Sequence, residues 1–314
     1  MLRRRAQKTR NAHYCILVNR QAARFQQKPV DDLVREIRKQ GGHYTVVDPD
    51  SAMELYGEAK QLAESKKAGR SILPAISRFG KVTALVACGG DGTVNLAARA
   101  AIPNGLPVGI LPMGRFNNIA RHVLGSEDPV VGRKRLLAGK YRRIDAGTAA
   151  DQLFLGSIGF GFIPEMAVLL EERKTPRLAI GWAQLAAKAA AGVEPIKSVI
   201  KIDAFRFELS PLILNINLLT FTLGLPLSPG SLVDDGHAEI ILDRGDAGGE
   251  FSSYIRSVYK NKYMYSDQIS QYRGAEMSIQ PTRGRTLYLD GELLELPTEY
   301  LQVRVATKRL KVFC

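Results

Sequence analysis

The sequence predicts an N-terminal α/β domain with a parallel sheet, followed by a domain of antiparallel strands. The apolar stretches from Val82 to Ala87 and from Pro107 to Leu111 each run into a glycine turn and then into residues with helical periodicity. After Ala146 the pattern changes, and short strand-like segments succeed one another. A chain of 314 residues is long enough to form two such domains.

The first elements of the chain alternate between strand and helix. We expect strands from Tyr14 to Val18 and from Tyr44 to Val47, separated by a helix from Val30 to Lys39. Ser51, followed three residues later by Glu54, forms a capping box, so a second helix is expected to begin there. This order of elements is typical of a parallel sheet with crossover helices.

Two glycine turns follow the next two strands. Gly89, Gly90 and Gly92 let a ligand approach the backbone in the first turn, Thr93 is expected to cap the following helix, and Gly114 lies in the second turn. Free N–H groups at a helix start, with the helix dipole, form a ready site for phosphate. Similar turns also occur in α/β proteins that bind nothing there, so the glycines alone leave both interpretations open. Their spacing matches neither the P-loop nor the dinucleotide fingerprint.

The second half contains strand patterns and one apolar helix. Strands are expected at Val199 to Ile202, Phe205 to Leu209, Leu212 to Leu219 and Leu301 to Phe313. The segment from Arg177 to Ala191 predicts a helix that either packs against its own domain or forms a lip over a lipid-binding groove.

Three further segments have recognisable local patterns. The mixture of tyrosines and basic residues from Tyr254 to Tyr265 fits a half-buried helix, or a surface for RNA or a membrane. Taken alone, the sequences around Asp235 and Asp290 are tight Asp-Gly turns between strands.

Composition describes a globular protein with a strong positive charge. The net charge of +13 favours anionic partners, and its densest cluster is Arg3, Arg4, Arg5, Lys8 and Arg10, which reads first as a solvated tail. No apolar run is long enough for a membrane span. The 3 cysteines are widely spaced without a CxxC pair, so neither a disulfide framework nor a zinc site is expected.

Two motifs carry a resemblance to a known family. Residues 89–95 read Gly-Gly-Asp-Gly-Thr-Val-Asn, and residues 109–114 read Gly-Ile-Leu-Pro-Met-Gly, with Asn117 and Ala120-Arg121 following. Together they resemble the superfamily of diacylglycerol kinases, sphingosine kinases and bacterial lipid kinases, which shares the first motif with NAD kinases. The resemblance covers nearly the whole chain. It implies a nucleotide-binding catalytic domain in residues 1–143, a β-sandwich lipid-substrate domain in 144–300, and a closing strand in 301–314.

The resemblance also implies an activity and a set of site residues. The expected activity is that of an ATP-dependent lipid kinase that requires Mg²⁺ and phosphorylates a hydroxyl of diacylglycerol, a sphingoid base or a related lipid. The nucleotide would be held by residues of the first loop and of the two glycine turns: Asn19, Gly89, Gly90, Asp91, Gly92, Thr93, Val94, Asn95, Gly114, Arg115 and Asn117.

Acidic residues complete the implied site. Glu292, in the sequence Asp290-Gly291-Glu292, would take the proton from the lipid hydroxyl, and Asp91 would handle Mg²⁺ or act as the base. Asp235, with the carbonyls of Leu232 and His237, would hold a structural Mg²⁺. The alternative at that loop is an Asp-Gly hairpin without an ion.

Several positions depart from the family pattern, and they cluster around the nucleotide. They are Arg20, Ala22 and Ala23 in the first loop, Arg115 and Asn118 in the second turn, and Gly156, where relatives usually carry asparagine; residues 68–80 are also longer than the usual link. These departures keep open an alternative function, a catalytically impaired relative that binds lipid or nucleotide without transferring phosphate.

The partners that follow are a lipid substrate and the surface of an anionic membrane. We expect a cytoplasmic protein in peripheral contact with that membrane and no nucleic-acid partner, whereas a homodimer is left open. The sequence does not identify the acceptor lipid.

Overall fold

A computed structural model describes residues 12–64, 81–172, 175–243, 255, 258–260 and 269–314. The described residues fall into two compact units, one within 1–144 and 308–314 and the other within 145–307. The chain passes from the first unit to the second after residue 144 and returns after residue 307. Among the described residues, no helix has the length and apolar character needed to cross a membrane.

The first unit alternates strands and helices. In chain order these are β1 (His13–Val18), α1 (Gln27–Lys39), β2 (His43–Val47), α2 (Ala52–Glu64), β3 (Ala84–Gly89), α3 (Asp91–Ala101), a 3₁₀ turn (Ile102–Asn104), β4 (Pro107–Pro112), α4 (Asn118–Val123), α5 (Pro129–Ala138) and the start of β5 (Tyr141–Ala149).

The sheet of this unit is parallel, as the sequence predicts. Its strand order is β2-β1-β3-β4, and the last residues of the chain, Lys311 and Val312, pair in parallel with Pro107 and Val108 of β4. Both β1 and β3 are buried along their whole length, which explains their uninterrupted apolar sequence. All four strands therefore end at the same edge of the sheet, where the glycine turns begin.

Most strand and helix boundaries predicted for this unit are confirmed within a few residues. The prediction that Thr93 caps α3 is wrong. The helix begins at Asp91, with Gly90 in the extended capping position, so Thr93 already lies in the first helical turn. The Thr93 hydroxyl is buried and accepts a hydrogen bond from Asn19 Nδ2 at 3.1 Å. The helix starts earlier than predicted because a glycine serves as the cap.

The second unit holds the remaining elements. They are the end of β5, β6 (Gln152–Phe154), β7 (Ser157–Gly161), α6 (Phe162–Glu172), α7 (Ala179–Ala191), β8 (Ser198–Ile202), β9 (Phe205–Leu209), β10 (Ile213–Asn217), β11 (Ala238–Asp243), β12 (Ile269–Gly274), β13 (Glu276–Gln280), β14 (Thr286–Leu289), β15 (Glu292–Glu295) and β16 (Leu301–Phe313).

Two antiparallel layers form this unit. One is a 6-stranded sheet in the order β12-β11-β10-β7-β14-β15. In the other, β8 pairs with β9 and β13, and β13 pairs with the first residues of β16. Ile216 and Ile240 of the first layer share one hydrophobic core with Ile200, Met277 and Val303 of the second. The predicted antiparallel β-sandwich is thereby confirmed.

The apolar helix α7 packs within its own unit. Trp182, Leu185 and Ala186 are buried, and the Trp182 ring lies 6.0 Å from the ring of Tyr259. Leu178 and Ile180 stay exposed at its start. The basic cluster at residues 3–10, the link at 68–80 and most of the segment from Tyr254 to Tyr265 lie outside the described residues.

Candidate active site

The two glycine turns of the first unit touch each other through their backbones. A Cβ atom added to Gly114 would lie 2.4 Å from the Cα of Gly90, and one added to Gly90 would lie 3.0 Å from the Cα of Gly114. Real Cβ atoms do not approach other atoms closely enough for the first distance. Gly114 therefore requires glycine, Gly90 leaves little room for a side chain, and the contact brings the starts of α3 and α4 together.

Backbone hydrogen bonds join the first loop to both turns. Asn19 N–H donates to the carbonyl of Cys88 at 3.0 Å, and Met113 N–H donates to the carbonyl of Gly89 at 2.8 Å. Arg24 N–H in turn donates to the carbonyl of Met113 at 2.9 Å. The three loops after β1, β3 and β4 are thus fixed to one another at the carboxyl edge of the sheet.

Asp91 binds the second turn through its carboxylate. Oδ2 accepts a hydrogen bond from Asn118 N–H at 2.9 Å, and Oδ1 accepts one from Ile119 N–H at 2.8 Å. The negative charge lies at the N-terminus of α4, where the helix dipole favours it. Asp91 therefore positions α4, a role that the sequence does not reveal.

Asn117 closes the second turn. Its backbone is left-handed, with φ at 51°, and its buried side chain pairs with both polar groups of Gly114. Oδ1 accepts from Gly114 N–H at 2.7 Å, and Nδ2 donates to the Gly114 carbonyl at 3.0 Å. Asparagine suits this position because it tolerates the left-handed region and supplies both a donor and an acceptor.

Gly92 differs from its neighbours because no atom lies within 4 Å of the position that its Cβ would take. The first hydrogen bond of α3 runs from Val94 N–H to the carbonyl of Gly90 at 3.1 Å, so the N–H groups of Gly92 and Thr93 precede the helical pattern. Gly92 is exposed. The start of α3 thus combines an open surface, a glycine and the positive end of the helix dipole.

Two arginines, Arg115 and Arg121, lie in or just after the second turn. Arg115 is half-buried in the second turn. Burial lowers the pKa of the Arg121 guanidinium, while the carboxylates of Glu127 and Asp91 raise it and Arg24 lowers it. Arginine stays charged despite such shifts, so Arg121 keeps a positive charge near Asp91.

The remaining residues predicted to hold nucleotide lie in the same region. Val94 and Asn95 are buried in the first turn of α3, and Gly89 packs so tightly on Thr93 that an added Cβ would lie 2.3 Å from the threonine Oγ1. The structure therefore brings together every residue predicted for the nucleotide.

A cleft of about 110 Å³ lies beside the first loop, between the ends of β1 and β2. Arg20 Nε donates to Asp48 Oδ2 at 2.7 Å, and Gln21 Nε2 donates to the carbonyl of Asp50 at 2.9 Å. The hydrogen bond and charge of Asp48 raise the pKa of Arg20. Arg20, which stands where the family pattern has proline, is therefore held at the rim of the cleft by the carboxylate of Asp48.

In the second unit, Asp290 rather than Glu292 makes the tightest contacts of the acidic turn. The Asp290 carboxylate accepts three backbone hydrogen bonds, from Leu155 N–H at 2.6 Å and from Gly156 and Ser157 N–H at 2.8 Å each. Glu292 is exposed at the start of β15, opposite Leu289 of β14. The hydrogen bonds of Asp290 fix the turn, and the side chain of Glu292 lies exposed beside it.

Gly156, one of the departures from the family pattern, has a structural reason. A Cβ at this position would lie 2.8 Å from Asp290 Oδ1, the oxygen that accepts the Gly156 N–H. A larger residue would push the carboxylate away. The absence of asparagine is therefore coupled to the position of Asp290.

The loop predicted to hold a structural Mg²⁺ contains a different arrangement. Asp235 Oδ2 contacts the guanidinium of Arg273, and Oδ1 accepts from His237 N–H at 3.0 Å. The Leu232 side chain is exposed, and the His237 ring contacts the carbonyl of Asp235 at 2.9 Å. Within the described residues, no cluster of three or more histidine, cysteine, aspartate or glutamate side chains could hold a metal ion.

The Asp235 carboxylate, the one side chain among the predicted ligands, is not open to the ion. Mg²⁺ needs several oxygen ligands in a near-octahedral arrangement. Both oxygens of Asp235 already accept bonds, one of them from a fixed cation. We therefore derive no step through a structural Mg²⁺ at this loop.

Two residues in these contacts, Asp48 and Arg273, were given no role in the sequence analysis, because neither stands in a motif. Asp290 was predicted only as part of an Asp-Gly turn, and its φ of 49° agrees with such a turn. Its three backbone hydrogen bonds join segments far apart in sequence, so the turn pattern could not predict them. Arg273 is brought next to Asp235 by the pairing of β11 with β12. No local sequence pattern indicates this contact.

Two family models together match nearly all of the chain. The diacylglycerol kinase catalytic domain matches residues 13–149, and the YegS C-terminal NAD kinase beta sandwich-like domain matches residues 156–314. Among curated proteins, the diacylglycerol kinase of Staphylococcus saprophyticus is 23% identical over 231 residues, which cover 70% of this chain and 74% of that protein. The diacylglycerol kinase of Staphylococcus carnosus is 22% identical, with the same coverage.

Solved structures show the same fold. A diacylglycerol kinase from Bacillus anthracis str. Sterne superposes with a TM-score of 0.68 at 17% sequence identity, covering 96% of each chain. A second structure from the same organism gives a TM-score of 0.73 at 18% identity, again covering 96% of each chain.

Proposed function

Because the chain belongs to the family that joins a diacylglycerol kinase catalytic domain to a YegS C-terminal NAD kinase beta sandwich-like domain, we propose that it is an ATP-dependent lipid kinase. The reaction transfers the γ-phosphoryl group of ATP to a hydroxyl of diacylglycerol, a sphingoid base or a related lipid. Membership of this family supports kinase activity but does not identify the substrate. The choice of ATP and of a lipid hydroxyl is our proposal.

The observation that carries the proposal is the start of α3. Gly92 leaves open space, and the N–H groups that precede the helical pattern point out of the helix end, as phosphate recognition requires. The surrounding contacts between Gly90 and Gly114 and between Asp91 and α4 keep this end rigid. Preorganised donors stabilise transferring phosphate charge without further reorganisation.

Arginine side chains add charge for a triphosphate. Arg115 and Arg121 are half-buried near the second turn, and Arg20 lies on the first loop. Guanidinium groups bind phosphate oxygens through parallel N–H donors, so these residues can compensate for the hydroxyl groups that relatives carry. Mg²⁺ bound with ATP would neutralise phosphate charge, and contact of Asp91 with that ion stays a prediction.

Proton transfer is assigned to Glu292. Its carboxylate would accept the proton of the lipid hydroxyl as the oxygen attacks the γ-phosphorus and ADP leaves with the electrons of the broken bond. Glu292 is exposed on the hairpin that Asp290 fixes. Asp91 is a weaker candidate for the base because both of its oxygens accept backbone N–H groups.

The alternative function, binding without transfer, is favoured by one observation. The cleft beside the first loop holds only about 110 Å³, and the Arg20–Asp48 ion pair spans it. Small-molecule sites usually enclose about 300 Å³ or more. A nucleotide that needs this cleft must displace the ion pair.

The test is phosphoryl transfer from γ-labelled ATP to diacylglycerol and to sphingosine in mixed micelles. We expect the wild type to label at least one lipid and Glu292→Gln to lose about 10²–10⁴-fold in rate. Glu295→Gln, an exposed glutamate on the same strand, should keep the wild-type rate. A wild type that binds ATP but labels no lipid would establish the alternative.

A further inference from the structure

Several protein contacts hold the loop after residue 231. Asp145, itself buried, accepts from Gly236 N–H at 2.6 Å through Oδ2, and its own N–H donates to the carbonyl of Val233 at 2.6 Å. Gly236 has φ of 80°, and an added Cβ would lie 2.3 Å from Thr307 Cγ2. These backbone contacts fix the turn without the contribution of an ion pair.

Pairing of β11 with β12 places a cation next to this turn. In the antiparallel register Glu239 lies directly opposite Arg273. From there the Arg273 side chain contacts Asp235 Oδ2 through Nη2, and its Nε lies 3.4 Å from Glu239 Oε1. One guanidinium thus links the carboxylate of Asp235 in the loop to that of Glu239 in β11.

The burial of these groups favours a specific ion pair over a loose surface contact. The side chains of Asp235 and Glu239 are each 20% exposed, and that of Arg273 is 46% exposed. Two carboxylates this close together and this poorly solvated repel each other unless a positive charge stands between them. Arg273 supplies that charge permanently because guanidinium does not lose its proton in proteins.

A divalent ion would have to compete for the same oxygens. Oδ2 of Asp235 faces the guanidinium and Oδ1 accepts the His237 N–H, while the carbonyls of Val233 and Asp235 accept from Asp145 and from the His237 ring. Mg²⁺ would also be repelled by the arginine. At the Asp235 carboxylate the charge of one cation is enough, and the register of β11 and β12 already places Arg273 there.

We propose that the guanidinium of Arg273 takes the structural role of a divalent cation in this loop. Folding of the second unit then needs no metal, and any Mg²⁺ requirement of the protein comes from ATP alone. The inference rests on contacts within the second unit. It stands whether or not the protein transfers phosphate.

The experiment is thermal unfolding of the full chain without nucleotide, in EDTA and in millimolar Mg²⁺. We expect the same Tm for the wild type in both buffers. Arg273→Ala should unfold at least about 3 °C lower in EDTA and recover part of that loss in Mg²⁺, because the carboxylates are then free to bind the ion. Arg273→Lys keeps the charge and should stay insensitive to EDTA.

A control and a decisive outcome complete the test. Arg206→Ala removes an arginine of the same unit that pairs only at the surface, 2.6 Å from Glu208, and should change neither Tm nor its response to Mg²⁺. If Arg273→Ala does not fold, the Tm values of the wild type and of Arg273→Lys in EDTA and in Mg²⁺ still test the proposal. A wild-type Tm that falls by several degrees in EDTA would overturn the proposal, as would an Arg273→Ala variant with unchanged Tm.

Discussion

Gly90 and Gly114 stand so close that a single methyl group on Gly114 would lie 2.4 Å from the Cα of Gly90. This contact joins two turns that are separated in sequence by a helix and a strand. Neither partner can move without breaking hydrogen bonds, because Met113 N–H donates to Gly89 and Asn117 closes the turn at Gly114. The geometry of the proposed nucleotide site depends on this approach.

The first prediction concerns that contact. Gly114→Ala should lower the free energy of unfolding by about 1–3 kcal/mol, because backbone atoms must separate to admit the methyl group. Gly57→Ala is the matched control, since no atom lies within 4 Å of the added Cβ on the exposed side of α2, and it should stabilise by about 0.5–1 kcal/mol. Urea unfolding measures both. Equal effects of the two variants would refute the tight contact.

The second prediction separates the two roles of carboxylates in the acidic turn. Asp290→Asn should lower stability by about 2 kcal/mol, because an amide cannot accept all three backbone N–H groups that the carboxylate accepts. Glu292→Gln changes an exposed side chain and should leave the unfolding midpoint unchanged. Urea midpoints of the two variants decide. Stability loss in Glu292→Gln would mean that this glutamate is structural.

The third prediction concerns Asp91. Asp91→Ala removes the acceptor for two N–H groups of α4 and should cost about 1 kcal/mol of stability and most of the ATP affinity. Asp128→Ala removes a comparable acceptor at the start of α5, whose side chain accepts from Val130 N–H at 2.8 Å, and should cost stability only. Calorimetric titration with ATP distinguishes them. Unchanged ATP affinity in Asp91→Ala would contradict a role in positioning the site.

The fourth prediction is a pattern of thiol reactivity. Burial raises the pKa of Cys15 and of Cys88 to about 12, so both thiols stay protonated and unreactive towards Ellman's reagent at about pH 8. Cys314 is half-buried and should react in the folded protein. Reactivity of Cys15 and Cys88 should appear only on unfolding. Fast reaction of all three thiols in buffer would contradict the burial of β1 and β3.

Local pattern was enough to predict the architecture. Continuous apolar runs predicted buried parallel strands, and the change to short alternating segments predicted the antiparallel layers. The predicted start of α1 is three residues late: the helix begins at Gln27 rather than Val30, because residues 27–29 carry no apolar periodicity. Exposed turns of amphipathic helices are the part that such periodicity misses.

Contacts between distant residues could not be predicted in this way. The sequence motif places Asp91 in a chemical role, whereas the structure shows it bound to α4, 27 residues away. Arg273 reaches Asp235 because the register of two strands aligns it with Glu239. Register depends on pairing across the whole sheet, so a single sequence gives no local sign of it.

The central claim, that the start of α3 binds the phosphates of ATP, is tested most directly by calorimetric titration of ATP with Mg²⁺ into the wild type and Gly92→Ala. An added methyl group meets no protein atom at Gly92, so the Tm should not fall. It would, however, occupy the space kept for phosphate. We predict that the wild type binds ATP and that Gly92→Ala binds about tenfold more weakly or worse, a loss of about 1.4 kcal/mol. A wild type that does not bind ATP, or a variant that binds it equally well, would contradict the account.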